Sequence, residues 1–119
     1  MKIILNKIAD RGVPDKERLV LRAVNDTTLA YFVVLDTAYA TPQSVVSTPK
    51  HAFWFPPKSI KAGDWVILYS RVGTNSSEVQ KDGTTAHFFF WGQSQVLWDK
   101  TGNCAVVMEV TDWNTSPFE

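Results

Sequence analysis

The run DWVILYS, residues 64–70, limits what this chain can fold into more than any other stretch. Its five central residues are aromatic, β-branched or aliphatic, too few for an ordinary helix and well suited to a pleated surface. In an extended chain Trp65, Ile67 and Tyr69 point one way and Val66 and Leu68 the other. Both faces are apolar, so the strand needs cover on two sides, by an opposing sheet on one and a loop on the other. AHFFFW, residues 86–91, has the same character, Phe88 and Phe90 opposing Phe89 and Trp91. RLVLRAV, residues 18–24, alternates instead: Leu19, Leu21 and Ala23 oppose Arg18, Val20, Arg22 and Val24, a face whose arginine heads can reach water.

KIILNKI (2–8), AYFVVLD (30–36), CAVVMEV (104–110) and the shorter QVLW (95–98) extend the set of strands. Between them stand Gly12 and Pro14 with DKER, the turn-forming NDTT, and KAGD before the central run. No segment carries a helical repeat. Short strands divided by turn signals predict an all-β fold, an antiparallel β-sandwich or barrel. Pro56 and Pro57 cannot donate to a ladder, so pairing stops there, and the preceding Phe53, Trp54 and Phe55 are expected to cap an open end of the sandwich. WDKTGNC fits a type I turn with a glycine bulge, Gly102 taking positive φ, which sets Trp98 opposite Cys104 and Val96 opposite Val106.

A chain of 119 residues suits one domain over 1–119. Twelve basic residues are matched by twelve acidic ones, and DRGVPDKER mixes both signs within a short stretch. No concentrated field favours duplex DNA or an anionic membrane, so neither nucleic acid nor membrane is an expected partner. The single cysteine, Cys104, allows no intrachain disulfide and reads as a small core residue. The opening MKIILNKIAD is broken by Asn6 and Lys7 short of the ~7 apolar residues of a secretion signal, and no run approaches the ~18 needed to span a bilayer. A cytoplasmic location is the expectation.

Chemistry is sparse. His51 and His87 lack the close His, Cys or carboxylate spacing of a zinc site, and His87 reads as a packed or rim residue. There is no glycine-rich phosphate loop and no Gly-x-Ser-x-Gly elbow. Asp36, Asp64, Glu109 and Asp112 fall near strand ends, where carboxylates are commonly solvated. No catalytic residue, metal or cofactor is expected, and the chain is not expected to be an enzyme. Segments 37–52 and 71–85 read as long loops, the second polar and mobile. Tyr39 and His51 in the first, with Trp54 just beyond, are the candidate binding residues. These features lead to a non-enzymatic protein-interaction or scaffolding module, acting on a protein partner or by self-association through an apolar sheet face. The alternative is a carbohydrate-binding module, since five tryptophans and three tyrosines supply flat faces, provided that several are exposed and coplanar.

The segments IILNKI, ERLVLRAVNDTTLAYFVVLD, FWFPPKSIKAGDWVILYS and VLWDKTGNCAVVMEV, in that order across residues 3–110, resemble those of the lamin tail domain, an immunoglobulin-like β-sandwich found in nuclear lamins and in many bacterial proteins. Tyr31 and Phe32 stand where that family usually has a Gly-Trp pair, and EVTDWNTSPFE lacks its closing Asp-x-x-Gly turn. The resemblance implies an immunoglobulin-like antiparallel β-sandwich with a binding or scaffolding habit and no shared catalytic residues.

Overall fold

A computed structural model describes residues 1–118. In chain order its strands are β1 (Ile3–Ala9), β2 (Arg18–Ala23), β3 (Thr27–Thr28), β4 (Phe32–Thr41), β5 (Ser44–Val45), β6 (His51–Trp54), β7 (Ser59–Ile60), β8 (Trp65–Tyr69), β9 (Ser76–Val79), β10 (Thr85–Phe90) and β11 (Asn103–Glu109). The only helical piece among the described residues is a 3₁₀ turn, Leu29–Tyr31, so no helix is long and apolar enough to cross a membrane. The fold is all-β, a sandwich of two sheets, as the strand pattern leads one to expect. The larger sheet runs β1-β2-β8-β10-β9. In the smaller, β4 pairs with β11 and, on its other side, with β5 and β6.

The double-faced run becomes β8, beside β2 and β10 in the larger sheet. Every pairing is antiparallel except that of β8 with β10, which is parallel from Trp65 and Ala86 to Tyr69 and Phe90. The exception arises because β9 takes the outer edge and β10 turns back into the place between β8 and β9. Segment 71–85, read as a mobile loop, therefore contains an edge strand and a tight hairpin whose Gly83 has φ +87°. Segment 37–52 is likewise built into the sheet: β4 continues to Thr41, turns at Pro42 and Gln43, and returns as β5 and β6.

The inner faces carry Ile3, Leu19, Leu21, Val66 and Leu68 from the larger sheet and Phe32 and Val34 from the smaller, all at most 1% exposed. Aromatic rings continue this core from Phe89 through Phe55 (5.2 Å), Phe53 (5.0 Å) and Trp91 (5.8 Å) to Trp98 (6.2 Å). The Phe-Trp-Phe triplet thus divides by alternation: Phe55 is core, Phe53 packs against it, and Trp54 points outward. The outward rings of β8 and β10 are half-buried by arginines instead of the expected loop. Arg22 lies over Trp65 at 4.8 Å, and Arg71 sits 4.9 Å from both Tyr69 and Phe90, whose rings stack at 5.3 Å. Guanidinium groups cover aromatic surface while keeping their charge in water.

The expected hairpin between 95–98 and β11 does not form. β11 pairs with β4, placing Cys104 opposite Thr37 and Val106 opposite Leu35, while 95–98 runs as irregular chain. Gly102 does take positive φ, +92°, in a turn closed by the Asn103 N–H to the Lys100 carbonyl at 3.1 Å. What draws 97–98 away from a ladder is Glu17, only 2% exposed. Its Oε1 accepts the N–H groups of Gly12 and Trp98, both at 3.0 Å. Its Oε2 accepts the Leu97 N–H at 2.8 Å and the Ser70 hydroxyl at 2.5 Å. Four donors fill the four acceptor sites of one carboxylate.

Glu17→Gln replaces two of those acceptor sites with donors facing donors, and a loss of about 3 kcal/mol or more is expected in urea unfolding. In β8, Leu68→Ala should cost about 2–5 kcal/mol because Leu68 is core, whereas Ile67→Ala, on the half-covered outer face, should cost about 1 kcal/mol. Equal losses at the two positions would contradict the assigned faces.

Candidate functional site

Alternation along β4 sends Phe32, Val34 and Asp36 into the sandwich and Val33, Leu35 and Thr37 outward. The register then builds the outer face around those three. On β11, Met108 lies beside Val33, Val106 beside Leu35 and Cys104 beside Thr37. On β6, Trp54 lies beside Val33 and Ala52 beside Leu35. None of these eight side chains is acidic or basic. One end of the face is closed, where the Thr37 hydroxyl donates to the Val46 carbonyl at 2.7 Å and Cys104 is 7% exposed. Burial, with the charge of Asp36, pushes the Cys104 thiol pKa up, so this cysteine is held as the unreactive thiol.

The other end is open. Trp54 is 51% exposed, with its indole N–H donated to the Ala30 carbonyl at 2.8 Å, which orients the ring. Met108 beside it is 45% exposed. Trp113, beyond the end of β11, meets Trp54 edge-to-face at 4.8 Å and 89°. Two tryptophans at right angles share no plane on which a sugar ring could lie, and Trp98 is in the core.

The three residues singled out in the sequence do not converge. Trp54 belongs to the uncharged face. His51, two positions earlier on β6, has the inward orientation, and its Nδ1 lies 2.8 Å from Asp36 Oδ2. Tyr39 is exposed six positions along β4 from Val33, about 20 Å away at strand spacing. The residues missed are Val33, Leu35, Val106, Met108 and Trp113. The signal for the first four was present: AYFVVLD and CAVVMEV are nearly as apolar on their second face as on their first.

Asp36 and Asp64, expected to be solvated, are 2% and 5% exposed, because alternation turns Asp36 inward and the 61–64 turn folds the Asp64 side chain back under the sheet. Each meets a histidine. Asp64 Oδ1 accepts the Thr85 N–H at 3.0 Å, and its Oδ2 accepts the Lys61 N–H and lies against His87 Nε2, each at 3.0 Å. The other ring nitrogen of His87 lies 3.1 Å from the hydroxyl of Ser77, its cross-strand neighbour on β9. Burial raises the Asp64 pKa, but the Thr85 N–H, the His87 ring and the Lys61 N–H together outweigh it and hold the carboxyl below its ordinary 3.8.

No protein-family model matches the chain, and no curated protein matches it. The residues themselves therefore carry the functional argument.

A carboxyl with a depressed folded-state pKa adds stability that is present above its unfolded pKa and lost as pH falls through the folded one. The urea midpoint should accordingly be insensitive to Asp64 titration at neutral pH and fall below about pH 4. Asp64→Asn should start less stable and show a shallower acid decline. An acid limb identical in both proteins would remove Asp64 from that role.

Proposed function

We propose that the chain is a self-associating interaction module, pairing with a second copy of itself through the outward face of β4, β6 and β11. The observation that carries this reading is a three-stranded face with no acidic or basic side chain, bearing Trp54 and Met108 half out in solvent beside Trp113. Aromatic residues and Met are enriched at protein interfaces, where charge is depleted. A two-fold contact requires a patch complementary to itself, and an uncharged apolar face meets that condition without repulsion.

The exposed surface is larger than a monomer of this mass usually has. The chain exposes 7510 Å², whereas a monomer of its mass has about 6500 Å². The extended residues after β11 contribute to the difference. Kinship with the lamin tail domain belongs to this proposal, supported by the order of segments from IILNKI to CAVVMEV and by the all-β sandwich.

Sedimentation equilibrium at micromolar concentrations is expected to show a monomer–dimer equilibrium. Val106→Lys and Met108→Lys, each placing a charge on the face, should give monomers that retain the wild-type β-sheet circular dichroism. A wild-type protein that stays monomeric throughout would overturn self-association and leave the face to a different apolar partner.

A further inference from the structure

The group formed by Asp64, His87 and Ser77 lies on the larger sheet, away from the uncharged face. A carboxylate needed only to close the 61–64 turn and begin β10 would be satisfied by the N–H groups of Lys61 and Thr85. Here a buried imidazole extends the network by one more link, and that link ends on a hydroxyl at the surface. Because β9 is an edge strand, its inward side opens at the flank of the sandwich, on a cleft of about 350 Å³.

The network fixes the ring tautomer. An ionised carboxylate only accepts, so His87 Nε2 carries the hydrogen and donates it to Asp64 Oδ2. In the neutral ring Nδ1 then holds the lone pair, 3.1 Å from Ser77 Oγ. We propose that Ser77, His87 and Asp64 form a nucleophilic triad that cleaves small carboxylic esters through an acyl-Ser77 intermediate. Relative to the familiar serine-hydrolase arrangement the two ring nitrogens are exchanged, while each keeps its role: one bound to the carboxylate, the other acting as base.

Ser77 Oγ adds to the ester carbonyl as its proton passes to His87 Nδ1. The bond to the alcohol oxygen then breaks, and the alcohol leaves with that proton. Water next adds to the acyl-serine and gives a proton to Nδ1, which returns it to Ser77 Oγ as the carboxylic acid departs. The cleft also offers a cation and an amide, Lys58 and Asn75, to the oxyanion of each tetrahedral intermediate. Pro56, Pro57 and Phe89 give an apolar wall for the acyl group. Asp64 is a positioning residue, holding the tautomer and balancing the imidazolium as it forms.

The test uses the folded chain with a fluorophosphonate probe and p-nitrophenyl acetate. Mass spectrometry should place one phosphonyl adduct on Ser77, and ester hydrolysis should exceed the buffer rate. Ser77→Ala, on a polar edge strand where the fold tolerates change, should abolish both. Asp64→Asn should slow labelling by roughly 10³ to 10⁴-fold and move its pH dependence, while circular dichroism verifies folding. Lys100→Ala, in the exposed turn before β11 and in neither site, should label as the wild type does. No adduct, or an adduct elsewhere with hydrolysis unchanged in Ser77→Ala, would overturn the triad.

Discussion

One buried carboxylate joins three parts of the chain that otherwise share little. Glu17 sits at the start of β2 and binds Gly12 in the β1–β2 connection, Ser70 at the end of β8, and Leu97 and Trp98 before β11. An isolated charge in that position would be costly. With four donors converging on it, the larger cost is instead that of removing it, since three backbone N–H groups and a hydroxyl would be stranded together. This anchoring also explains why Trp98 can fill the core from an irregular segment: its backbone hydrogen bond is made to a side chain, so no strand is needed. The aromatic series from Trp98 to Phe89 is then packed against a fixed point.

The outer faces of the two sheets meet the same difficulty in opposite ways. Both consist largely of apolar side chains. On the larger sheet Arg18, Arg22 and Arg71 spread over Trp65, Tyr69 and Phe90, with guanidinium-to-ring distances of 4.8–5.8 Å, so charge lies above these three rings. On the smaller sheet no arginine, lysine or carboxylate projects from the outward positions of β4, β6 or β11. The chain thus contains a worked example of how it makes an aromatic sheet face compatible with water, and it does not apply that treatment to the second face. This contrast within one molecule bears on function more than the presence of exposed apolar residues, which are common on monomers.

Most strands were legible because their residues are β-branched or aromatic and their alternation is clean: Leu19, Leu21 and Ala23 are all core, as the pattern of RLVLRAV requires. Three things were not legible, each for a physical reason. The edge strand β9 is Ser-Ser-Glu-Val, and a strand held mainly by its ladder to β10 needs no hydrophobic signature. The partner of β11 was misassigned because WDKTGNC contains a genuine turn, and turn chemistry specifies a local bend without specifying which strand the chain meets afterwards. The pairing of Asp64 with His87 joins residues 23 apart in sequence, a separation that carries no motif. Of the three chosen binding residues Trp54 lies in the uncharged patch, alternation sends His51 inward, and Tyr39, on the same side of β4 as Val33, stands too far along the strand to join it.

Edges decide how such a sandwich can associate. β1 and β11 are the free edges of the two sheets on one flank, and a free edge is a template for adding strands from another chain. Here that flank is stapled. The Lys2 N–H donates to Glu109 Oε1 at 3.1 Å at one end of β11. At the other, Arg11 donates to the carbonyls of Asn103, at 3.0 Å, and Trp98, at 3.1 Å. An incoming strand would have to displace a guanidinium from the carbonyl at the start of β11 and break the link that holds its end to β1. Contact through the uncharged face requires neither, since Val33, Leu35, Val106 and Met108 keep all their ladder bonds when a second surface is laid over them. On this flank, then, stacking a second surface over the uncharged face disturbs fewer bonds than extending either sheet, while β9 remains the edge of the larger sheet on the other side.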